Sequence, residues 1–168
     1  MQIEVKIDQA DADEAVALSD LATKTYADAY RAGMRPEDLR QHVESVLSPE
    51  RWREYLAADK VLVARRGIEI VGYVQFGPTP NASEAEVKRL YVDEAWQGRG
   101  LGSRLLSSAI EASEAVGAEI IWIGVWHDNA NARRLYERFG FVAVAQKAFI
   151  LPSGQVDGHD IRMIRRRT

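Results

Sequence analysis

The chain has 168 residues, of which 46% are hydrophobic and 28% charged, and it carries a formal net charge of −3. This composition is typical of a globular protein, and we expect a single domain over residues 1–168. The sequence contains no cysteine, which excludes disulfides, thiolate metal ligands and a cysteine nucleophile.

One strand and three helices are predicted for the first 60 residues. Apolar and charged residues alternate at 3–7, which is typical of a half-buried strand. An acidic cap and apolar residues at helical spacing predict a helix over residues 11–31. Pro36 and Pro49 then begin two further helices, because proline is tolerated in the first helical turn, where its missing N–H costs no hydrogen bond.

The middle of the chain predicts three strands and a helix. Residues 61–65 and 69–77 flank Arg66-Gly67, a typical hairpin turn, and a third strand follows at 84–92. A glycine-rich loop then leads into a helix over residues 101–116. Apolar side chains form one stripe along this helix: Leu101, Leu105, Leu106, Ala109, Ile110 and Val116. The stripe predicts that one helix face packs against the core.

The last third of the chain predicts one helix between strands. Residues 120–125 are almost continuously apolar, which favours a strand buried on both faces. A helix over 129–139 and strands at 141–151 and 159–165 follow, the last two joined by the turn at 152–154. Strands joined by hairpins predict antiparallel pairing and strand–helix–strand units predict parallel pairing, so we expect a mixed α/β sheet.

A glycine-rich segment, Gln97–Ser103, leaves the strand at 84–92 and enters the next helix. This position suits an anion, because the first N–H groups of a helix lack intrahelical acceptors and glycine lets a phosphate approach closely. A Walker A loop needs a lysine that the segment lacks, and a dinucleotide fingerprint needs a third glycine where Ser103 stands. The spacing Gln97-x-x-Gly100-x-Gly102 matches a third phosphate-binding pattern, Q/R-x-x-G-x-G/A.

Two further segments carry a resemblance to the family that uses this third pattern. Asn129–Phe141 is similar to N-x-x-A-x-x-F/L-Y-x-x-x-G-F, and Glu86–Val92 resembles the family's central strand. The chain is thereby identified as a member of the GNAT superfamily of N-acetyltransferases, with close resemblance over about residues 61–145. The resemblance implies the GNAT acyl-CoA N-acyltransferase fold, a twisted mixed β-sheet with helices on both faces, and direct acetyl transfer from acetyl-CoA to an amine.

The resemblance also implies which residues bind the acetyl-CoA co-substrate. Backbone groups of the central strand would hold the pantetheine arm and those of the loop the pyrophosphate, with Arg99 or Arg104 adding positive charge. The residues so assigned are Leu90, Tyr91, Val92, Gln97, Gly98, Arg99, Gly100, Leu101, Gly102, Ser103, Asn129, Ala132, Arg133 and Tyr136. Asn129 can at the same time cap the helix that follows it.

Acyl transfer from a thioester to an amine calls for a general acid and a general base. By resemblance, Tyr136 stands where the leaving thiolate is protonated, and a neutral phenol keeps its proton at pH 7. A primary amine with a pKa of about 10 is mostly protonated at neutral pH and must lose a proton before it attacks. Glu86 is the candidate base, acting through water, with Glu84 and Asp128 as alternatives. Each role has a structural alternative. Tyr136 could simply pack in the core, and Glu86 could be an exposed carboxylate on a strand.

Closer similarity to the Pai-type bacterial spermidine/spermine acetyltransferases implies a polyamine or another small amine as acceptor. This similarity rests on residues 25–30, 36–47 and 122–126. Carboxylates pair with ammonium groups and aromatic faces attract them, although core packing or surface exposure also explains such residues. The residues that would line an amine pocket are Tyr26, Asp28, Tyr30 and Trp126.

Two other functions stay open: acetylation of a peptide or protein at its N-terminus or a lysine, and a non-catalytic acyl-CoA-binding sensor or interaction module. His42, His127 and His159 lack metal-ligand spacing, so no metal is expected. We expect no nucleic-acid or membrane partner, because the chain is acidic and has neither a long apolar stretch nor a signal-peptide pattern. A cytoplasmic enzyme is expected, and the resemblance leaves a homodimer open.

Overall fold

A computed structural model describes residues 4–168, except for the side chains of Phe149 and Asp157. Ile3, which belongs to the predicted first strand, lies outside the described residues. The strands are β1 (Val5–Gln9), β2 (Lys60–Arg66), β3 (Glu69–Pro78), β4 (Glu84–Val92), β5 (Ile120–Trp126), β6 (Val142–Ile150) and β7 (Val156–Arg166). The helices are α1 (Ala15–Tyr30), α2 (Pro36–Val46), α3 (Pro49–Ala58), α4 (Leu101–Ala115) and α5 (Ala130–Arg138).

The strands form one seven-stranded sheet in the order β1-β2-β3-β4-β5-β7-β6. β1 is antiparallel to β2, and β4 is parallel to β5 with α4 as the crossover. The predicted mixed α/β sheet is therefore confirmed. The β5–α5–β6 unit does not form a parallel pair, because β7 lies between β5 and β6 and is antiparallel to both.

The chain divides into two compact units. The first contains the described residues up to Gln75 together with Arg89–Leu106, and the second contains Phe76–Lys88 and Ser107–Thr168. β3, β4 and α4 each contribute residues to both units, so the chain passes between them more than once.

Helix α1 packs its apolar face into the core of the first unit. Leu18 and Ala22 of this helix are completely buried, as is Trp52 of α3. The Trp52 ring meets Tyr73 of β3 edge to face, with centroids 5.1 Å apart, a favoured aromatic geometry. The hydroxyl of Ser19 also donates to the Leu47 carbonyl at 2.6 Å, which fixes α1 against the end of α2.

Local start signals place α2 and α3 where the sequence predicts them, whereas α1 begins at Ala15 rather than directly after its predicted acidic cap. Pro36 and Pro49 each occupy the first turn of a helix, and the Ser48 side chain accepts a hydrogen bond from the Arg51 N–H. A short 3₁₀ turn at Ala12–Glu14 precedes α1. There the Glu14 carboxylate accepts from the Asp11 N–H at 2.8 Å, so an otherwise unbonded N–H is satisfied.

The second unit shows where the predictions from apolar patterning are wrong. β5 alternates between buried and half-buried residues, so only the face with Ile121, Ile123 and Val125 is fully buried. The other face carries Ile120 and Trp122, which are apolar but only half-buried, so the continuous apolar run did not mean burial on both faces. Val116 does not extend the buried stripe of α4, because the helix ends at Ala115 and Val116 is 76% exposed.

Strand β7 begins at Val156, three residues before the predicted start. Its first residues pair with the end of β6, as in Ile150↔Val156 and Ala148↔His159. This part of the strand includes Gly158 at φ +76, and it shows no apolar alternation. Backbone hydrogen bonding to a partner strand, rather than side-chain burial, therefore sets the start of β7.

Candidate functional site

The glycine-rich loop lies between β4 and α4 in the first unit. Gly98 and Gly100 have φ values of +74 and +78, a region that side chains with a Cβ disfavour. The Gln97 amide donates to the Val92 carbonyl at 3.0 Å, which ties the loop back to the end of β4. Asp93 accepts from Lys24 of α1 at 2.7 Å, and the pKa of Asp93 is lowered chiefly by that hydrogen bond.

Backbone N–H groups are the main chemical feature of this loop. Within residues 4–168, the N–H groups of residues 98–103 have no hydrogen-bond acceptor, and the first helical bond is that of Arg104 to the Gly100 carbonyl. The positive end of the α4 dipole lies at the same place. A loop with free donors, open glycines and a helix N-terminus fits a pyrophosphate group.

Positive charge near the loop comes from two arginines that share one aromatic ring. The guanidinium of Arg99 lies 4.5 Å from the centroid of the Trp96 ring, and that of Arg66 lies 5.1 Å from it. The sequence indicated Arg99 but not Arg66, which lies at the end of β2. Arg104, the other predicted cation, instead donates to the Val5 carbonyl at 2.9 Å.

The asparagine segment forms helix α5 in the second unit. Asn129 caps the helix, with its side-chain oxygen accepting from the Ala132 N–H at 3.1 Å. Arg133 pairs with Glu137 at 3.0 Å on the exposed side. Tyr136 is 7% exposed, and its ring lies 6.1 Å from that of Phe141, so packing fixes the orientation of its phenol.

The candidate base Glu86 is held in an ion pair. Its carboxylate accepts from Arg162 of β7 at 3.0 Å, and the guanidinium lies 5.6 Å from the centroid of the Trp122 ring. Glu84 accepts from the Trp122 indole N–H at 2.8 Å. Arg162 was not predicted, although a cation within an otherwise apolar strand end was a visible signal. Any proton transfer through Glu86 must therefore occur in the presence of Arg162.

Trp126, which was predicted to line the pocket for the acceptor amine, lies in a histidine cluster of the second unit. The His127 ring meets it edge to face at 4.3 Å, and the His159 ring lies 4.7 Å from His127. A Cβ on Gly158 would approach Trp126 to 2.6 Å, so only glycine allows this packing. Burial raises the pKa of the neighbouring Asp160.

The other three residues predicted to line the amine pocket lie on α1 in the first unit. Tyr26 is buried and stacks on His42 with centroids 4.1 Å apart, and Tyr30 lies 4.5 Å from Tyr26. Asp28 is partly exposed and lies 3.8 Å from Arg31. The Tyr26 ring therefore packs in the core, whereas Asp28 reaches solvent.

His42 is buried enough to be uncharged. Burial lowers its pKa to about 4, and the positive charge of Arg89 acts in the same direction. An uncharged imidazole can stack closely on Tyr26 without the cost of burying a charge.

Neither a metal-ligand cluster nor a membrane-spanning helix is found among the residues that the structure describes. In this part of the chain, no group of three or more histidine or carboxylate side chains could hold a metal ion. No helix formed by residues 4–168 has both the length and the apolar character that crossing a membrane requires.

The sequence matches the Acetyltransferase (GNAT) family over residues 20–141. An uncharacterized N-acetyltransferase of Mycobacterium bovis is 30% identical over 157 residues, which cover 92% of this chain and 97% of that protein. The spermine/spermidine N(1)-acetyltransferase of Bacillus subtilis is 32% identical over only 80 residues, or 44% of this chain and 53% of that enzyme.

Solved structures show the same fold. The PaiA N-acetyltransferase from Thermoplasma acidophilum, in complex with coenzyme A, superposes with a TM-score of 0.83 at 18% identity and covers 98% of this chain and 99% of that one. The yncA protein from Salmonella typhimurium, with its cofactor acetyl-CoA, superposes at 0.69 and 25% identity, over 96% and 93% of the two chains.

The chain therefore belongs to the GNAT acetyltransferase family. The predicted family, fold and enzyme class, an N-acetyltransferase, are confirmed.

The lowered pKa of His42 predicts a pH-dependent loss of stability. The unfolded chain binds a proton on this imidazole below about pH 6.5, whereas the folded protein does so only near pH 4. Stability from this residue is therefore present above pH 6.5 and is lost as the pH falls toward 4, by roughly 1–2 kcal/mol after solvent screening is allowed for.

Urea unfolding between pH 4.5 and 7 measures this loss. The His42→Phe variant keeps an aromatic ring on Tyr26 but cannot titrate, so its unfolding free energy should fall less steeply with acidification than that of the wild type. Equal slopes for the two proteins would contradict a neutral, buried His42.

Proposed function

We propose that the protein transfers the acetyl group of acetyl-CoA directly to the primary amine of a small molecule. The observation that carries this proposal is the glycine-rich loop, whose free N–H groups at residues 98–103 begin helix α4. Polyamines are the acceptors that the sequence resemblance names. The partial similarity to the Bacillus spermine/spermidine enzyme supports them as the first amines to test.

Acetyl-CoA is the acyl donor, and it supplies an activated thioester. In the first unit, the N–H groups of Gly98–Ser103 bind the pyrophosphate, and Arg99 and Arg66 add positive charge beside Trp96. The backbone of Leu90–Val92 binds the pantetheine arm, and an amide there supports the oxyanion. In the second unit, Asn129, Ala132 and Arg133 bind the cofactor from the start of α5.

Tyr136 donates the proton that the leaving thiolate takes up. Its phenol is uncharged at neutral pH, and its buried ring is fixed by packing in the second unit. An ordered donor lowers the barrier without the reorganisation that a water molecule in solution would need.

Glu86 accepts the proton of the acceptor amine through water. The ion pair with Arg162 keeps its carboxylate in one position. This arrangement favours orientation of a water molecule, because the ion pair fixes the carboxylate oxygens that would accept its hydrogen bond. Arg162 is thus proposed as a positioning residue for the base.

Thiol release from acetyl-CoA across a panel of amines tests the function. Spermidine, spermine, amino acids, aminoglycosides and short peptides form the panel, and we expect turnover with small amines to exceed that with peptides. Turnover of peptides alone would indicate a peptide acetyltransferase. Coenzyme A binding without turnover of any amine would indicate a sensor, and silence with spermidine would contradict the polyamine assignment.

The Tyr136→Phe variant tests the proposed acid. Loss of the hydroxyl should reduce kcat at least tenfold, equivalent to about 1.4 kcal/mol of barrier. The affinity for coenzyme A, measured by calorimetry, should stay close to that of the wild type, because the ring and its packing remain. Unchanged kcat would remove Tyr136 from the mechanism.

The Gly100→Val variant tests the loop. Gly100 has φ +78, and no atom lies within 4 Å of the point where a Cβ would stand. A valine there strains the backbone that carries the free N–H groups, because side chains with a Cβ disfavour this φ. We expect at least a tenfold loss of coenzyme A affinity by calorimetry.

Gly154→Val is the matched control for the loop variant. Gly154 also has a positive φ and open surroundings, but it lies in the turn between β6 and β7. Its substitution should leave the affinity for coenzyme A close to that of the wild type. Wild-type affinity in Gly100→Val would refute the loop assignment.

A further inference from the structure

Arg89 of β4 is anchored by a buried polar chain in the first unit. Its Nη1 donates to Oε1 of Gln75 at 2.6 Å, and Nε2 of Gln75 donates to Asp59 at 2.7 Å. Gln75 is only 1% exposed, although its side chain is polar. A buried amide with both its oxygen and its nitrogen bonded is rigid, so the guanidinium is fixed from one side.

An aromatic ring fixes the guanidinium from another side. Arg89 lies 4.7 Å from the centroid of the Tyr55 ring, which is a cation–π distance. The Tyr55 hydroxyl donates to the Val46 carbonyl at 2.8 Å, so the ring itself is held by the end of α2. The side chain of Arg89 is therefore pre-organised before any ligand arrives.

The charge of Arg89 has no direct carboxylate partner. Within the described part of the chain, Arg89 forms no ion pair, and its hydrogen-bond acceptor is the neutral amide of Gln75. Asp59 lies one residue further along the chain of hydrogen bonds. Other half-buried arginines of the protein, such as Arg65 and Arg162, do bind carboxylates directly.

Two of the groups whose pKa responds to the charge of Arg89, the His42 imidazole and the Tyr73 phenol, are uncharged. His42 is neutral and stacked on Tyr26. Tyr73 is buried, which raises the pKa of its phenol, so it also stays neutral. A half-buried guanidinium in neutral, aromatic surroundings attracts an anion more strongly than one on an open surface, because water screens it less.

We infer that Arg89 binds a carboxylate of the acceptor, so that the preferred substrate is a small amine that also carries a carboxylate. With Nη1 bonded to Gln75, the Nε and Nη2 groups are left to form the two-pronged contact that a carboxylate matches. A polyamine has no such group and would be repelled by the same charge. The inference rests on the proposed acetyl transfer and departs from the polyamines that the sequence resemblance names.

Matched pairs of amines test the inference on the full-length protein. Ornithine and putrescine differ only by the α-carboxylate, as do lysine and cadaverine. In the wild type, kcat/KM should be at least tenfold higher for each amino acid than for its diamine. Equal values, or a preference for the diamines or spermidine, would overturn the inference and leave acetyl transfer to small amines intact.

The Arg89→Gln variant locates the preference. It should reduce kcat/KM for ornithine and lysine at least tenfold, mainly through KM, and change the values for the diamines less than threefold. Arg89→Lys, which keeps the charge but not the fork, should retain part of the preference. Arg53→Gln is the matched control, because Arg53 is an exposed cation on α3, and its kinetics should equal those of the wild type.

Two outcomes distinguish carboxylate binding by Arg89 from a purely structural role. Equal losses for amino acids and diamines in Arg89→Gln would show a structural role and overturn the inference, as would a raised KM for acetyl-CoA alone. The wild-type comparison needs no variant, so it decides the question even if Arg89→Gln fails to fold. No turnover of any amine, with coenzyme A still bound, would instead contradict the proposed acetyl transfer and this inference with it.

Discussion

The proposed chemistry depends on one constraint. The backbone N–H groups of residues 98–103 have no acceptor in the part of the chain that the structure describes. At residues 98–103 the loop cannot satisfy its own donors, because the helix that begins at Leu101 has no preceding turn to supply carbonyls. Gly98 and Gly100 adopt positive φ values, which set the course of the backbone in this loop. An anion can satisfy these donors, which is why a loop of so few side chains can define a class of enzyme.

Arginine has a different task in each surrounding that the fold provides. Arg65 binds Glu14 and Asp8 and serves the packing of the first unit. Arg162 binds Glu86 and lies over Trp122 in the second unit. Arg99 and Arg66 share the Trp96 ring beside the loop. The group that each guanidinium contacts, rather than the presence of an arginine in the sequence, indicates whether that arginine has a structural or a functional role.

The proposed recognition of the acceptor depends on how a buried amide, that of Gln75, is hydrogen-bonded. Gln75 is almost fully buried, and its two hydrogen bonds offset the cost of removing an amide from water. Asp59 accepts one of these bonds from the Gln75 side-chain nitrogen, and the Gln75 side-chain oxygen accepts the other from Arg89. The guanidinium of Arg89 is thereby held by a neutral amide, whereas Glu86 in the second unit is held in a direct ion pair.

Local features of this protein follow directly from short stretches of its sequence. Pro36 and Pro49 start helices, β4 has its predicted bounds, and the loop and asparagine patterns indicate the GNAT family. These signals lie within a few residues of the structure that they specify, because caps, turns and periodicity are local properties.

Contacts between distant residues depend on how the strands and helices are arranged in the fold. Glu86 and Arg162 are 76 residues apart, and their ion pair depends on the register of β5 with β4 and β7. The insertion of β7 between β5 and β6 and the stacking of Tyr26 on His42 have the same origin. Strand order and helix packing are chosen by the total burial and hydrogen bonding of the fold, which no short stretch of sequence encodes.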